Sequence, residues 1–579
     1  MQPSRKSWSL FALGAMITTI AVFSQAAGSA KFQITSRGQP AAEIVVEAEN
    51  PEAPLAFAGE ELQRYVKEIS GAELPSVRAK SRKPVILLVS RPFDKQASAD
   101  PREVDHYRLK VNSNELLIEG ASARAVLFGV YDVLERLGCG WCVPGDDTVP
   151  KRDTLELDAM EVNARPAFKY RMMLDFPLMS VAQSIAISDW IAKNRLNWVH
   201  ECANAHGEPK IWYDRRERVV PELRKRGLHL IFGGHTMHTW VPETNSTAHP
   251  DWFALEDGKQ KPPTLCISNP EMTAELINNM RRFLDRCPEV EVIDFWHTDG
   301  TVFCHCAKCT RGVVSGGGTN APTDAVQAAY VISYVELINR VAEAIGKSHP
   351  KVMIGPLIYS QTDRAMPDAA PVLADNVLIG VAHFYRDSFI PLLGEPKSAI
   401  NLRFLGNDLT WIAKSKHSYI YEYYNGWVPP YVYPGAQVIV RDLQTLAALE
   451  VQGVSSDMYG YSPVNMYAAA RAFWSSSTSW TNIVHDFCNR YYGDVADEMA
   501  ENEIRLETGI YGISGYQGNN PNKRHLDQQR PQQIALLKRL AAKTKDPQVK
   551  ARLERELKPW EMWNKEPRFW AFPEFKDSQ

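Results

Sequence analysis

The residues best suited to chemistry lie at or just beyond the ends of eight short apolar segments in the middle of this 579-residue chain. Along the chain these positions are Asp175, His200, Glu201, His235, His238, His297, Asp299, Tyr359, His383, Tyr385, Arg386, Glu422, Tyr423, Tyr424, Asp457 and Tyr459. Carboxylates and aromatic rings suit glycosidic cleavage, in which one carboxyl protonates the leaving oxygen and another group stabilises an oxocarbenium-like centre. Aromatic faces also bind sugar rings, and Trp240, Trp252, Trp296 and Trp427 lie near these segments. The pattern favours a carbohydrate site.

Asp299 and Glu422 are the predicted catalytic carboxyls. The segment Phe295–Gly300 leads an apolar strand to Asp299, and Gly300 lets the backbone turn at once. His297 lies on the same side as Asp299 by two-residue alternation, so it can act on that carboxyl electrostatically. Glu422 ends an aromatic segment, and for each carboxyl a structural hydrogen-bonding role is the alternative. The predicted substrate-binding residues are Glu201, His235, His238, His297, Tyr359, His383, Tyr385, Tyr424 and Asp457.

The elements that must position these side chains alternate between strand and helix, which predicts an α/β fold with a (β/α)8 TIM barrel. The candidate strands are Phe168–Leu174, Asn197–Cys202, His229–Gly234, Val290–His297, Lys351–Tyr359, Val377–His383, Ser418–Tyr423 and Gly453–Met458. Helical patterns separate them everywhere except between the fifth and sixth strands. Such barrels place their chemistry on the loops at the carboxyl ends of the strands, so we expect these polar residues to converge on one rim.

The rest of the chain divides around this barrel, which is predicted to span residues 167–478. Residues 31–160 indicate a small α/β domain, because short β-branched runs alternate with helical patterns. Residues 479–579 are charged and Leu/Ala-periodic, which predicts a helical C-terminal region.

Residues 1–30 predict an export signal. A short basic start precedes the apolar run Leu10–Phe23, which is too short to span a bilayer comfortably, and small residues follow it. A retained N-terminal anchor is the alternative. No later stretch is apolar enough to cross a membrane, and the net charge of −3 comes with no basic block that would bind nucleic acid. We expect a secreted or periplasmic protein without a nucleic-acid partner and, after signal removal, without a membrane partner.

The chain has nine cysteines, and three of them form the C-x-C-x-x-C pattern Cys304, Cys306 and Cys309. With Cys266, these thiolates can bind a structural zinc ion, and His305 is an alternative fourth ligand. Two disulfides are the other interpretation, because an oxidising compartment favours them. Cys139 and Cys142 form either a disulfide or two packed thiols. No organic cofactor is predicted.

Several phrases of the chain resemble the domain of unknown function 4838 family, of which glycoside hydrolase family 163 is a part. The most specific match is Asp299–Gly300 followed by the three clustered cysteines. The other phrases are Ala58–Gly71, which is similar to the N-terminal domain of α-glucuronidases and family 20 hexosaminidases, Arg165–Arg171, Gly234–His235 with Trp240–Pro242, Leu265–Cys266 with Asn269–Pro270, Ala470–Trp474 and Phe487–Gly493.

The resemblance implies a (β/α)8 barrel acting on a glycan, either an oligosaccharide or the glycan of a glycoprotein. Family 163 members are endo-β-N-acetylglucosaminidases, and related acetamido-sugar hydrolases use the substrate's acetamido oxygen as nucleophile. Asp299 would then be the acid/base or would orient the acetamido group. The chain has Thr298–Asp299 where family 20 has an Asp-Glu pair, which leaves Glu422 or Glu201 as a possible partner.

An exported glycoside hydrolase acting at an N-acetylhexosamine is the leading hypothesis. One alternative is an α-glucuronidase-like exo-hydrolase of uronic-acid glycans, in which Arg171, Arg386 or a strand-end histidine would bind the sugar carboxylate. The other alternative is a glycan-binding barrel without activity.

Overall fold

The computed structural model describes residues 31–78, 84–93, 102–175, 180–202, 210–314, 323–424, 432–457, 462–515 and 523–563. The predicted export signal, Trp427 and Tyr459 lie outside the described residues, as does the side chain of Asp175. Among the described helices, none combines the length and apolar character that a membrane span needs.

The N-terminal region is built on a six-stranded mixed sheet. Its strands, in spatial order, are Met160–Ala164, Tyr107–Val111, Glu115–Gly120, Val85–Ser90, Glu43–Val46 and Ser76–Val77. Two helices cover it, Ala53–Ser70 and Ala123–Arg136. The first buries Leu62, Tyr65, Val66 and Ile69 on one face and ends at Gly71, whose left-handed backbone (φ 78°) suits glycine. A smaller sheet joins Phe32–Ser36, Gln39–Pro40 and Leu155–Leu157, and a hairpin joins Gly140–Val143 to Asp146–Thr148.

The central region is a closed barrel of eight parallel strands, as the alternation predicts. In chain order they are Tyr170–Asp175, Trp198–Cys202, His229–Gly233, Val292–Asp294, Met353–Ile358, Leu378–Ala382, His417–Glu422 and Gly453–Asp457. The fifth strand consists of two pieces, Met353–Gly355 and Leu357–Ile358, on either side of Pro356. The first strand pairs with the eighth, and a bridge between Ile354 and Val377 links the fifth strand to the sixth, so the ring closes.

Helices surround the barrel after every strand except the fifth. They are Val181–Lys193, Lys210–Arg226, Pro270–Arg286, Thr323–Ser348, Ala399–Ala413, Ala436–Ala448 and Pro463–Trp474. Between the fifth and sixth strands the structure has only the short 3-10 turn Ser360–Thr362, where the sequence also shows no helical pattern. The loop after the third strand is longer than the others described. It contains the short helix Met237–Trp240 and the hairpin of Phe253–Glu256 with Lys259–Leu265.

The C-terminal region is helical, as its periodicity predicts. Its helices are Trp480–Tyr492, Ala496–Ile510, Lys523–Lys543 and Pro547–Met562. Arg552 on the last helix forms a buried ion pair with Asp146 in the N-terminal hairpin, with 2.7 Å between Nη2 and Oδ1. The region therefore packs onto the N-terminal domain as well as onto the barrel.

Candidate active site

The register of the barrel strands separates the predicted residues into an inward and an outward set. The ring of Trp296, just after the fourth strand, lies 5.7 Å from the ring of Tyr421 in the seventh strand. These two strands are not neighbours in the barrel, so both rings point into its interior. In the pairing of the seventh strand with the eighth, Tyr421 aligns with Ser455 and the next residue, Glu422, aligns with Ser456. Successive side chains of a strand point to opposite faces, so Glu422 points away from the barrel interior.

Asp299 lies at the mouth of the barrel with an exposed side chain. The next residue, Gly300, has a φ of 116°, a backbone conformation that side-chain-bearing residues rarely adopt, and this turns the loop immediately after the carboxyl. The Tyr359 hydroxyl, from the end of the fifth strand, hydrogen-bonds to the Asp299 carboxylate. Burial and this carboxylate raise the pKa of Tyr359, so the phenol stays protonated and remains a donor.

Two histidines pack beside this pair and are held by backbone carbonyls. His297 Nε2 donates to the Tyr359 carbonyl at 2.8 Å, and the two rings stack with centroids 6.0 Å apart. His235 Nδ1 lies 2.6 Å from the His297 carbonyl, where it donates. Burial lowers the pKa of His297 to about 4 and lowers that of His235 as well, so both imidazoles are neutral near pH 7. Asp299 acts electrostatically on both rings, which places it next to them.

Aromatic side chains form one wall of the opening. The ring of Tyr423 lies 4.9 Å from Tyr421 and 5.0 Å from Phe384, and Phe384 lies 5.0 Å from the half-exposed Tyr385. These rings offer faces of the kind that stack on the apolar side of a sugar.

Asp457 is a second carboxyl on the inward side. It ends the eighth strand, aligns with Leu174 and through it with His200, and is fully buried. Burial raises the pKa of Tyr423, and the charges of Tyr359, Asp457, Asp299 and Glu422 raise it further. Tyr423 therefore lies within electrostatic reach of Asp299 and Asp457, and also of Glu422.

A histidine–carboxylate contact forms the floor below these residues. His200 Nε2 lies 2.7 Å from Asp294 Oδ2, and both side chains are buried. A Cβ on Gly355 would lie 1.9 Å from Asp294 Oδ1, and a Cβ on Gly233 would lie 2.5 Å from Asp294 Cβ, so glycine is required on both neighbouring strands. Burial raises the pKa of Asp294.

Glu422 belongs to a buried ionic network outside the barrel wall. Its Oε1 accepts from His383 Nδ1 and from Arg386 Nη1, both at 2.7 Å. His383 Nε2 also lies 3.0 Å from Asp408, and Arg386 Nη2 lies 2.6 Å from Asp442. Asp408 and Asp442 come from the helices that surround the strands, Ala399–Ala413 and Ala436–Ala448.

The two cations of this network stabilise the negative charge of Glu422. Burial opposes the charge of Glu422, but Arg386 and His383 outweigh it and hold its pKa below the ordinary value. Burial likewise opposes a charged His383, but Asp408 and Glu422 raise its pKa to about 10. Glu422 is thus an ionised structural carboxylate and does not face Asp299. Glu422 therefore does not lie in the site where the sequence placed it, and neither does His383.

The remaining predicted residues divide in the same way. Tyr424 is buried on the outward side, where Glu422, Asp442 and Arg386 act on it electrostatically. Glu201 is buried and pairs with Arg215 of the helix Lys210–Arg226, with 3.0 Å between Oε1 and Nη1, so it too faces outward. His238 is half-buried on the short helix that follows His235.

Four of the cysteines lie together beside the Asp299 loop. The Sγ atoms of Cys266, Cys304, Cys306 and Cys309 all lie within 4.8 Å of one another, and none of these residues forms a disulfide. Cys139 and Cys142 are buried free thiols.

Residues 141–502 match the family described as Domain of unknown function (DUF4838), over more than half of the chain. The chain belongs to this family. The resemblance drawn from the Asp299–Gly300 phrase and its companions is confirmed. By sequence, the chain matches none of the curated proteins.

The fold of this DUF4838 protein is similar to that of several solved glycoside hydrolases. A family 115 4-O-methyl-α-glucuronidase with specificity for decorated arabinogalactans aligns with a TM-score of 0.57 and 14% identity, over 91% of this chain and 72% of its own. A family 138 enzyme targeting pectin rhamnogalacturonan II aligns with a TM-score of 0.56 and 12% identity, over 90% and 68%. The family 20 chitobiase of Flavobacterium johnsoniae aligns with a TM-score of 0.51 and 12% identity, over 91% and 90%. The chain therefore has a glycoside hydrolase-like fold.

Asp294 and Tyr421 are inward residues of the DUF4838 barrel that sequence reasoning missed. Both lie before the predicted strand ends; the sequence predicts a fourth strand that runs to His297, whereas in the structure it ends at Asp294. Asp294 did carry a signal, because it is a single carboxylate inside the apolar segment Val290–Phe295. An isolated charge in a buried strand requires a partner, which here is His200.

Proposed function

We propose that this protein is an exported glycoside hydrolase that cleaves a glycan at an N-acetylhexosamine, with Asp299 as the proton donor. The observation that carries the proposal is the exposed Asp299 carboxyl at the mouth of a glycoside hydrolase-like barrel, hydrogen-bonded by Tyr359 and faced by aromatic rings. In such barrels the loops at the carboxyl ends of the strands carry the chemistry.

The surroundings of Asp299 suit a general acid. Its carboxyl is accessible to a leaving oxygen, and the Tyr359 hydroxyl orients it. His235 and His297 are neutral near pH 7, so they place no positive charge beside it. A protonated Asp299 would deliver its proton to the glycosidic oxygen as the bond to the anomeric carbon breaks.

The second catalytic role, assistance of the attack on the anomeric carbon, falls to residues on the inward side of the barrel. Tyr423 lies within electrostatic reach of both Asp299 and Asp457, and Tyr423 and Asp457 take the place that sequence reasoning gave to Glu422. In the proposed reaction the substrate's own acetamido oxygen attacks the anomeric carbon. The Tyr423 hydroxyl and the Asp457 carboxylate offer a donor and an acceptor that would hold that acetamido group.

Cleavage of a uronic-acid linkage is the less favoured reading. A sugar carboxylate needs a cation, but both arginines considered for that role face away from the interior. Arg171 pairs with Asp105 of the N-terminal domain, with 2.7 Å between Nη2 and Oδ2, and Arg386 is held in the Glu422 network.

A mixed glycan library with mass detection of the products tests the proposal. We expect released oligosaccharides ending at an N-acetylhexosamine, and at least about a hundredfold slower release by Asp299→Asn. Asp285→Asn is the matched control, because it removes an exposed carboxylate from a helix far from the strand ends. Free uronic acid as the main product would favour the α-glucuronidase-like alternative. Full binding of glycans without any product would favour a binding protein.

Export is tested separately. We expect expression of the full chain in a secreting host to yield a protein that lacks the first residues, as read by N-terminal sequencing. A chain that keeps Arg5 and Lys6 and stays with the membrane would favour the anchor alternative.

A further inference from the structure

The four clustered sulfurs have the spacing of a metal-binding tetrahedron. Cys266 Sγ lies 3.8 Å from Cys306 Sγ and 3.7 Å from Cys309 Sγ, and all four sulfurs lie within 4.8 Å of one another. Four sulfurs placed about 2.3 Å from a central zinc ion form a tetrahedron with edges of about 3.8 Å. The spacing thus matches thiolates around one ion, and it is far too long for a disulfide bond, whose sulfurs are about 2 Å apart.

Backbone groups support the sulfurs from two loops. The Leu255 amide donates to Cys304 Sγ at 3.3 Å, and the Cys309 amide donates to Cys306 Sγ at 3.4 Å. Amide donors of this kind stabilise charged thiolates and orient them, as partners of metal ligands commonly do. The His305 amide donates in turn to the Leu255 carbonyl at 2.7 Å, which fastens the two loops together next to the sulfurs.

We propose that Cys266, Cys304, Cys306 and Cys309 bind one zinc ion that ties the hairpin after the third barrel strand to the Asp299 loop. Cys266 directly follows the hairpin strand Lys259–Leu265, and the other three ligands follow the fourth strand. Four thiolates favour zinc over hard cations such as magnesium or calcium, which prefer oxygen. Four protein ligands also complete the coordination, so the ion has a structural role and offers no position for substrate.

The ion would fix the far end of the segment that carries Asp299. At the near end, the Ser360 hydroxyl donates to the Gly300 carbonyl at 2.7 Å, and Gln361 Nε2 donates to the Val302 carbonyl at 2.9 Å. Cys304 follows two residues later. The ion would therefore reinforce the hydrogen bond from the His305 amide to the Leu255 carbonyl in holding the far end of the Asp299–Cys304 segment. This consequence for Asp299 rests on the proposed function, but the metal site does not.

Metal content and thiol state of the wild-type protein decide between zinc and disulfides. The protein is purified from the exporting host, once with and once without reductant. We expect one zinc ion per chain and an intact mass, after denaturation, that corresponds to fully reduced cysteines. A metal-free protein lighter by four hydrogens, with peptides linked among these four cysteines, would overturn the proposal. If the purified protein is reduced and metal-free, it is titrated with zinc. Failure to take up one equivalent of zinc per chain would also overturn the proposal.

Single substitutions localise the ion. Cys309→Ser is expected to lose most of the bound zinc, whereas Cys287→Ser, which removes a buried cysteine outside the cluster, is expected to keep it. Cobalt-loaded wild-type protein should show the visible absorption of tetrahedral cobalt thiolate, and this measurement needs no variant to fold. Full zinc content in Cys309→Ser, or an octahedral cobalt spectrum, would contradict the assignment. These readouts do not depend on glycosidase activity, so failure of the proposed function leaves them intact.

Discussion

Two regions of the barrel contain the same kinds of residue but use them in opposite ways. At the mouth, Asp299 is exposed beside a tyrosine and two neutral histidines. Behind the wall, Glu422 is buried between a charged histidine and an arginine, which are balanced in turn by Asp408 and Asp442. The comparison teaches that residue types alone do not mark a reactive site. A carboxyl whose partners are all protein charges holds the structure together, whereas one with an open face can meet a substrate.

Asp299→Asn is expected to have the largest effect on activity, and it tests the reactive half of this comparison. Removal of a general acid typically costs about 10²–10⁴-fold in rate, so kcat should fall by that factor. The side chain is exposed, so the midpoint of thermal unfolding should stay at the wild-type value. Steady-state kinetics and calorimetry measure the two quantities. A wild-type rate in this variant would remove Asp299 from the mechanism.

Glu422→Gln is expected to behave in the opposite way. It leaves the positive charges of Arg386 and His383 without their shared buried partner, so the free energy of unfolding should fall by about 3–5 kcal/mol. Denaturant unfolding measures this change, and activity per folded molecule should persist. Asp375→Asn breaks an exposed pair with Lys416 and should leave the free energy of unfolding close to the wild-type value. A stable but inactive Glu422→Gln protein would return Glu422 to the active site.

The two regions should also lose their contributions to the free energy of unfolding at opposite ends of the pH range. His383 has a folded-state pKa of about 10, above its ordinary value of about 6.5. Its contribution to stability is complete below pH 6.5 and is lost as the pH rises through about 10, because the unfolded chain releases that proton first. Unfolding free energies measured across this range should decline in the wild type. If the unfolding free energy of His383→Gln declined in the same way, the decline would be due to another titrating group.

His297 sets the expected response on the acidic side. Burial lowers its folded-state pKa to about 4, so the unfolded chain binds a proton that the folded protein does not accept between pH 6.5 and 4. Stability should therefore fall as the pH drops through this interval. His297→Phe keeps an aromatic ring without the titrating group, and its unfolding should be less sensitive to pH there. Equal sensitivity in both proteins would show that His297 is not responsible.

The smallest effect is expected from Tyr359→Phe, which removes the hydroxyl that orients Asp299. One hydrogen bond to a charged group contributes about 1.5–3 kcal/mol, so kcat should fall by roughly tenfold to a hundredfold with little change in KM. Tyr213→Phe is the control, because Tyr213 lies on an outer helix over Arg286. An unchanged kcat in Tyr359→Phe would mean that the carboxyl is positioned by other groups.

Much of the fold could be predicted from the sequence because it depends on local patterns. The eight apolar segments, the missing helix before Val377 and the C-terminal helices all follow from hydrophobic periodicity, which acts over a few residues. The same reasoning found Asp299, which lies just beyond the predicted end of the fourth strand at His297. It did not find Asp294, because the predicted fourth strand continues past that carboxylate to His297, and because its partner His200 is distant in the chain.

The sequence by itself determined the order of the elements, the strand ends that carry polar residues and the spacing of the cysteines. Only the tertiary structure decided which of those residues face the same space. The strands of a parallel barrel are buried on both faces, so their alternation carries no polar side that marks the interior. Glu422 and Tyr421 are neighbours in the chain, yet Glu422 pairs with Arg386 outside the barrel wall whereas Tyr421 meets Trp296 across the barrel. That difference depends on register and closure, which are set by contacts between distant segments.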